Sequence, residues 1–159
     1  MRGRRRILIV EDQERWQKML STALDKAGYE VKQARHHGEA LTMLGHDKYE
    51  LVILDLRLEG SLKQTRFEGE DLLETLNDKG LFSIIVTSFT TPETDRRLVD
   101  RYGRYGMFRI VDKLRFSEEG YLDREFLVLV AEALHEADQA DQANGLTDEQ
   151  LNRLEENTL

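Results

Sequence analysis

Short apolar runs alternate with amphipathic segments along most of the chain. The runs at residues 7–10, 51–55 and 83–87 each contain three or four consecutive apolar residues, which is typical of strands buried on both faces. Residues 29–34 alternate between polar and apolar side chains and predict a strand near a sheet edge, and residues 108–112 predict another strand. The pattern therefore indicates five strands.

A helical pattern of apolar residues follows each strand. The first pattern carries Trp16 and Leu20 on one face and ends at Gly28, a residue type that often terminates helices. Thr91 and Pro92 predict the start of the fourth helix, because threonine caps helices and proline suits the first helical position. The other helices are predicted at residues 39–44, 70–77 and 124–136.

Five successive strand–helix units predict an α/β fold. The expected architecture is a flavodoxin-like, doubly wound sheet of five parallel strands in a three-layer α/β/α arrangement. We expect this domain to cover residues 7–138, after a flexible basic leader at residues 1–6. Residues 139–159 are predicted to form an acidic C-terminal extension, with a short helix at residues 148–155 behind a capping box.

Composition narrows the functional classes. The formal net charge is −8, from 23 basic and 31 acidic residues, which argues against direct nucleic-acid binding. The chain has no cysteine, so disulfides and thiolate metal sites are excluded. No apolar run approaches the roughly 20 residues that span a bilayer, and the first apolar run is too short for a signal peptide. We expect a cytoplasmic protein without a membrane partner.

Polar residues follow four of the strands where each strand ends. Glu11 and Asp12 follow the first, Asp55 the third, Thr87 ends the fourth, and Lys113 follows the fifth. The carboxyl ends of parallel strands meet at one edge of the sheet, where close carboxylates repel each other unless a cation joins them. Oxygen ligands of this kind suit Mg²⁺, and a lysine can pair with phosphate oxygens. The pattern predicts a metal pocket beside a phosphate pocket.

These residues, in this order and on these elements, resemble the receiver domain of two-component response regulators over about residues 6–138. The resemblance implies that Asp55 accepts a phosphoryl group from a histidine kinase or a histidine phosphotransfer protein. It implies Mg²⁺ as the cofactor, held by Glu11, Asp12, Asp55 and the backbone carbonyl of Arg57, with Lys113 neutralising the phosphoryl charge. The chain would be a signalling switch rather than a metabolic enzyme.

The resemblance also assigns residues to the switch. Thr87, with Ser88 and Ile110, would reorganise the face formed by the fourth helix, the fifth strand and the fifth helix, through which the domain would contact a downstream target or a second copy. Ile110 stands where the family often has a tyrosine or phenylalanine. Arg57 and Phe89 occupy positions that flank the phosphate, and we expect them to shield it from water.

Two further features depart from the family pattern. The matching glycine after Asp55 is Gly69, so the loop between them is longer than usual, and Leu114 replaces the proline that usually follows the lysine. Neither change touches the phosphorylation residues. Both concern the output of the switch.

Two other classes of protein also place an aspartate after a buried strand. Dehalogenase-type phosphatases place a second aspartate two residues after the nucleophile, where this chain has Arg57, so that class is disfavoured. An unphosphorylated pseudo-receiver that acts as a protein-interaction module stays open as the alternative.

Three further features have local interpretations. Residues 96–109 carry five arginines, which form either a solvated basic face or a docking surface for the acidic extension. His36 and His37 are interpreted as a solvated turn. Trp16 is interpreted as a packing residue.

Overall fold

Five parallel strands form one sheet, with helices packed on both of its faces. The structure is a computed structural model, and it describes residues 3–56, 70–88, 91–102 and 108–144. The strands are β1 (Arg6–Val10), β2 (Glu30–Ala34), β3 (Leu51–Leu54), β4 (Ser83–Thr87) and β5 (Phe108–Asp112). The helices are α1 (Glu14–Lys26), α2 (His37–His46), α3 (Glu70–Asp78), α4 (Pro92–Tyr102) and α5 (Leu127–Asn144).

The strand order is β2-β1-β3-β4-β5, and all neighbouring strands are parallel. This confirms the predicted doubly wound sheet. β3 and β4 are buried at every position, whereas β2 has exposed residues at the sheet edge. Strand order reverses between β1 and β3, and in open α/β sheets ligands bind beyond the carboxyl ends of the strands at such a point.

Strand alternation divides the core into two clusters. Leu8 and Val10 of β1 face α2, α3 and α4, whereas Ile7 and Ile9 face α1 and α5. Successive side chains of a strand point to opposite faces, so continuous apolar strands are needed to fill both clusters. Phe126 is the largest fully buried side chain of the second cluster.

The connection from β5 to α5 differs from the predicted single helix at residues 124–136. A 3₁₀ turn (Lys113–Ser117) and a π-helical turn (Tyr121–Phe126) precede the α-helical part. Gly120 supplies the left-handed backbone that starts the π-helical turn, with φ of 80°. The ring of Phe116 packs edge-on against Tyr121 and Phe126, which fixes this wider turn against the core.

The predicted flexible leader at residues 1–6 is wrong for residues 4–6. Arg6 is the first residue of β1. The Arg5 guanidinium donates to Glu50 at 2.6 Å and to Asp138 at 2.9 Å, and Arg4 pairs with Asp25. These arginines bond carboxylates that are distant in the sequence. The basic run by itself therefore could not predict that their side chains are held in place.

Helix α5 also passes the domain boundary predicted at residue 138, because it continues to Asn144. Two acids that the sequence places near the acidic extension belong to this helix. Asp138 bonds Arg5, and Glu136 accepts from Arg109 of β5 at 2.8 Å. The short helix predicted at residues 148–155 lies outside the described residues. Among the helices that are described, none has the length and apolar character needed to cross a membrane.

Candidate functional site

Three carboxylates converge at the carboxyl end of the sheet. Glu11 and Asp12 directly follow β1, and Asp55 directly follows β3, its neighbour in the sheet. One oxygen from each lies within 4.8 Å of the others. Glu11 is buried, Asp55 is half-buried and Asp12 is exposed, so the group opens to solvent on one side. The structure thus brings together the three carboxylates that the sequence singled out.

Lys113 reaches this group from β5, the strand at one edge of the sheet. It directly follows β5, two strands from β3, and its side chain is buried. Its ammonium donates to Glu11 Oε2 at 3.0 Å and to Asp55 Oδ2 at 3.2 Å. Such ion pairs hold their partners firmly in place because a buried charge without a partner is costly.

The close approach of the three carboxylates affects the protonation of the group. Burial, and next the negative charge of Asp55, raise the pKa of the Glu11 carboxyl, although hydrogen bonds from Lys113 and the Gln13 amide oppose the shift. The Lys113 ammonium bonds two of the three carboxylates, those of Glu11 and Asp55. The close carboxylates and their all-oxygen donor set fit a divalent cation such as Mg²⁺.

Thr87 lies beside this group at the end of β4. Its side chain is buried, and its hydroxyl donates to the backbone carbonyl of Leu56 at 2.8 Å. Ser88 follows and is exposed. Ile110 is half-buried on β5 and packs against the cluster formed with α2, α3 and α4. Thr87 is therefore adjacent to the carboxylates. The other predicted switch residues, Ser88 and Ile110, lie at the end of β4 and on the neighbouring strand β5.

Trp16 contacts the site, which sequence reasoning missed. Lys113 Nζ lies 4.7 Å from the centre of the Trp16 ring, a cation–π distance. The ring also packs edge-on against Phe116. Packing was the correct interpretation, but its partner includes the site lysine. The available signal was position, because Trp16 lies about one helical turn after Asp12.

His37 is the second residue that sequence reasoning missed. The predicted solvated turn holds for His36, which is exposed, but is wrong for His37, because α2 begins at His37 rather than at residue 39. The His36 imidazole Nδ1 accepts a hydrogen bond from the Glu39 amide and caps the helix. His37 is half-buried, and its Nε2 lies 3.2 Å from the Asp55 carbonyl oxygen.

A cavity of about 210 Å³ lies between the carboxylates and the start of α2. Its lining consists of Val10, Glu11, Asp12, Arg35, His36, His37 and Asp55. The predicted metal-binding carbonyl of Arg57 and the predicted shielding residue Phe89 lie outside the described residues.

Replacing Asp12 with asparagine is expected to stabilise the metal-free protein. The change removes one of three mutually repelling charges, and we expect Tm to rise by about 2 °C without divalent cations. The additional rise in Tm on adding Mg²⁺ should largely disappear, since Mg²⁺ would lose a carboxylate. Thermal unfolding with and without Mg²⁺ measures both effects, with Asp123→Asn on the exposed surface as the control. If the variant instead has a lower Tm without metal and the same rise in Tm on adding Mg²⁺ as the unchanged protein, Asp12 neither repels the other carboxylates nor binds the metal.

Comparisons with known proteins agree with this geometry. The family model of the response regulator receiver domain matches residues 7–119. A CheY-like response regulator receiver domain protein from Methanospirillum hungatei JF-1 is 24% identical, with a TM-score of 0.68, and the match covers 87% of this chain and 99% of that one.

Two further solved structures share the fold. The signal receiver domain of a putative LuxO repressor protein from Vibrio parahaemolyticus is 23% identical, with a TM-score of 0.68, over 90% of this chain and 99% of that one. The response regulator protein TrrA from Thermotoga maritima, in complex with Mg²⁺ and BeF, is 21% identical, with a TM-score of 0.59, over 81% and 98%. No curated protein matches. Because the family model covers most of the chain, the chain belongs to the receiver domain family of two-component response regulators.

Proposed function

We propose that this receiver domain accepts a phosphoryl group on Asp55 and acts as a Mg²⁺-dependent switch in the cytoplasm. Receiver domains interact with histidine kinases or phosphotransfer proteins, and either would be the donor. One observation carries the proposal. The Asp55 carboxylate is held beside the buried Lys113 ammonium at 3.2 Å, within a group of three carboxylates at the end of the sheet.

The metal would be held by Glu11, Asp12 and Asp55, together with the backbone carbonyl of Arg57. The carboxylate group supports the first three as ligands, because their oxygens lie within 4.8 Å of one another and repel each other unless a cation joins them. Bound Mg²⁺ would supply positive charge to the oxygens of the transferring phosphoryl group.

The covalent step needs few protein groups. An Asp55 carboxylate oxygen attacks phosphorus and forms the new P–O bond as the P–N bond to the donor histidine breaks. The electron pair of the broken bond returns to the imidazole. The Lys113 ammonium, released from part of its contact with Asp55, neutralises charge on the phosphoryl oxygens. Later attack by water on phosphorus restores the Asp55 carboxylate and releases phosphate, so the domain's own chemistry ends there.

Phosphorylation would be transmitted through Thr87. Its hydroxyl has to leave the Leu56 carbonyl in order to bond a phosphoryl oxygen. Ser88 and Ile110 would follow this movement, and Ile110 also lines a groove of about 480 Å³ beside α5. Val128 lines the same groove and is 56% exposed. We propose this face of α4, β5 and α5 as the contact with a downstream protein or a second copy.

Intact mass spectrometry tests the proposal directly. The protein is incubated with Mg²⁺ and acetyl phosphate, and we expect a mass increase of one phosphoryl group. The adduct should be absent from Asp55→Asn and from samples with a chelator. The Asp123→Asn variant, which changes an exposed aspartate on the same chain, should be phosphorylated like the unchanged protein.

Size-exclusion chromatography of the same samples reports on the output. Earlier elution of the phosphorylated protein alone would support self-association. If the folded protein forms no adduct with acetyl phosphate, phosphoramidate or a phosphorylated donor protein, the phosphoacceptor role is wrong and an unphosphorylated interaction module is favoured.

A further inference from the structure

Three backbone polar groups of Asp55 and Leu56 are held at the candidate phosphoacceptor. The Asp55 amide donates to the Val10 carbonyl at 3.0 Å. The Asp55 carbonyl lies 3.2 Å from His37 Nε2, and the Leu56 carbonyl accepts from the Thr87 hydroxyl at 2.8 Å. A carbonyl oxygen only accepts hydrogen bonds, so His37 Nε2 is the donor and carries the proton.

The sheet order explains why a side chain is needed at this point. β1 and β3 pair up to Val10 and Leu54, so Asp55 lies just beyond their backbone ladder. β2 is the strand on the other side of β1, and α2 follows it. His37, at the first position of α2, therefore reaches past the end of β1 and bonds the carbonyl of Asp55.

The two side-chain bonds come from opposite sides of β3. Thr87 holds Leu56 from β4, and His37 holds Asp55 from the side of β1 and β2. The proposed switch breaks the Thr87 bond, because the same hydroxyl would turn to the phosphoryl group. The His37 bond requires no such change, so it would be the one that keeps the Asp55 backbone in place throughout the cycle.

We propose that His37 is a positioning residue that fixes the direction of the Asp55 carboxylate through its backbone. This inference rests on the proposed function, since the carboxylate matters as phosphoacceptor and metal ligand. Groups that orient a metal-binding side chain affect metal affinity by roughly tenfold or more when they are lost. The bond from His37 to Asp55 is part-buried, so it is partly protected from competing water.

Four variants of the full chain separate the hydrogen bond from packing. His37→Leu removes the donor, His37→Asn keeps polarity but is too short to reach, and His37→Gln restores a donor at a similar reach. His46→Leu changes an exposed histidine at the other end of α2 and is the control. Circular dichroism verifies folding, and His37→Asn decides the comparison if His37→Leu does not fold.

Two readouts need no phosphodonor. Trp16 is the chain's single tryptophan and lies against Lys113, so its fluorescence reports Mg²⁺ binding. Hydrogen exchange of the Leu56 amide in metal-free protein reports how firmly the Asp55–Leu56 peptide is held. We expect His37→Leu and His37→Asn to weaken Mg²⁺ affinity by about tenfold and to speed the exchange, while His37→Gln and the control stay close to the unchanged protein.

The inference is overturned if His37→Leu and His37→Asn keep normal Mg²⁺ affinity and normal exchange. It is equally overturned if His37→Gln behaves like His37→Leu, because the imidazole would then act by packing rather than as a donor. These outcomes are independent of phosphorylation. If the unchanged protein forms no adduct on Asp55, the proposed function fails, while the two readouts still decide the role of His37.

Discussion

Replacing Lys113 with methionine is expected to slow phosphorylation of Asp55 by roughly a hundredfold. Methionine keeps most of the length of the side chain but removes the ammonium that lies 3.2 Å from Asp55. Loss of a fixed charge or donor from a transferring group typically reduces rates by about this factor. The rate of adduct formation with acetyl phosphate, followed by intact mass, measures the effect.

The same variant should also unfold more easily without Mg²⁺. It leaves the buried Glu11 facing Asp55 without the ammonium between them, and breaking a buried ion pair in this way costs about 3 kcal/mol in unfolding free energy. Lys32→Met, at an exposed position of β2, is the matched control and should change neither quantity. A folded Lys113→Met protein that is phosphorylated at the normal rate would show that the lysine has no part in the transfer.

Replacing Phe126 with alanine is expected to lower the free energy of unfolding by about 3–5 kcal/mol. Phe126 is fully buried where the π-helical turn meets α5, and its ring packs edge-on against Phe116 at 5.0 Å. Removal leaves a cavity in the cluster that joins α1 and α5 to the sheet. Urea unfolding followed by circular dichroism gives the change in free energy.

Val128→Ala, two residues farther along at the start of α5, provides the comparison for Phe126→Ala. Val128 is 56% exposed, so its truncation should change the unfolding free energy by less than about 0.5 kcal/mol. Similar losses in the two variants would mean that α5 is not anchored through Phe126.

The sheet and the carboxylate group were predictable because both follow from local patterns. Continuous apolar runs such as residues 51–54 predict strands buried on both faces, and parallel connections bring all strand ends to one edge. Asp55 and Lys113 are far apart in the sequence, but each directly follows a strand. The topology alone therefore brings them close together.

The roles of His37 and Trp16 were not predictable in this way. The contact of His37 with Asp55 depends on where α2 begins, which the His36 cap determines by a hydrogen bond to a backbone amide. The contact of Trp16 with Lys113 depends on the direction of two long side chains. Neither property appears in the spacing of polar and apolar residues.

The π-helical turn at Tyr121–Phe126 escaped prediction for a different reason. Over six residues, the apolar spacing of an α-helix and of a wider helix are too similar to distinguish. The wider form is accompanied by aromatic packing of Tyr121 and Phe126 against Phe116, a residue outside the turn. Local sequence thus predicted a helix here but not its type.

The bonds of Arg5 to Glu50 and Asp138 have a practical consequence for the choice of expression boundaries. The family match ends at residue 119, before α5, whose apolar face covers Ile7, Ile9 and Ile53 together with α1. A chain trimmed to the matched residues would lack both α5 and Arg5. The apolar side chains of the sheet that α5 covers would then be exposed to water. Boundaries for a stable recombinant domain therefore have to begin at or before Arg5 and extend beyond Asp138.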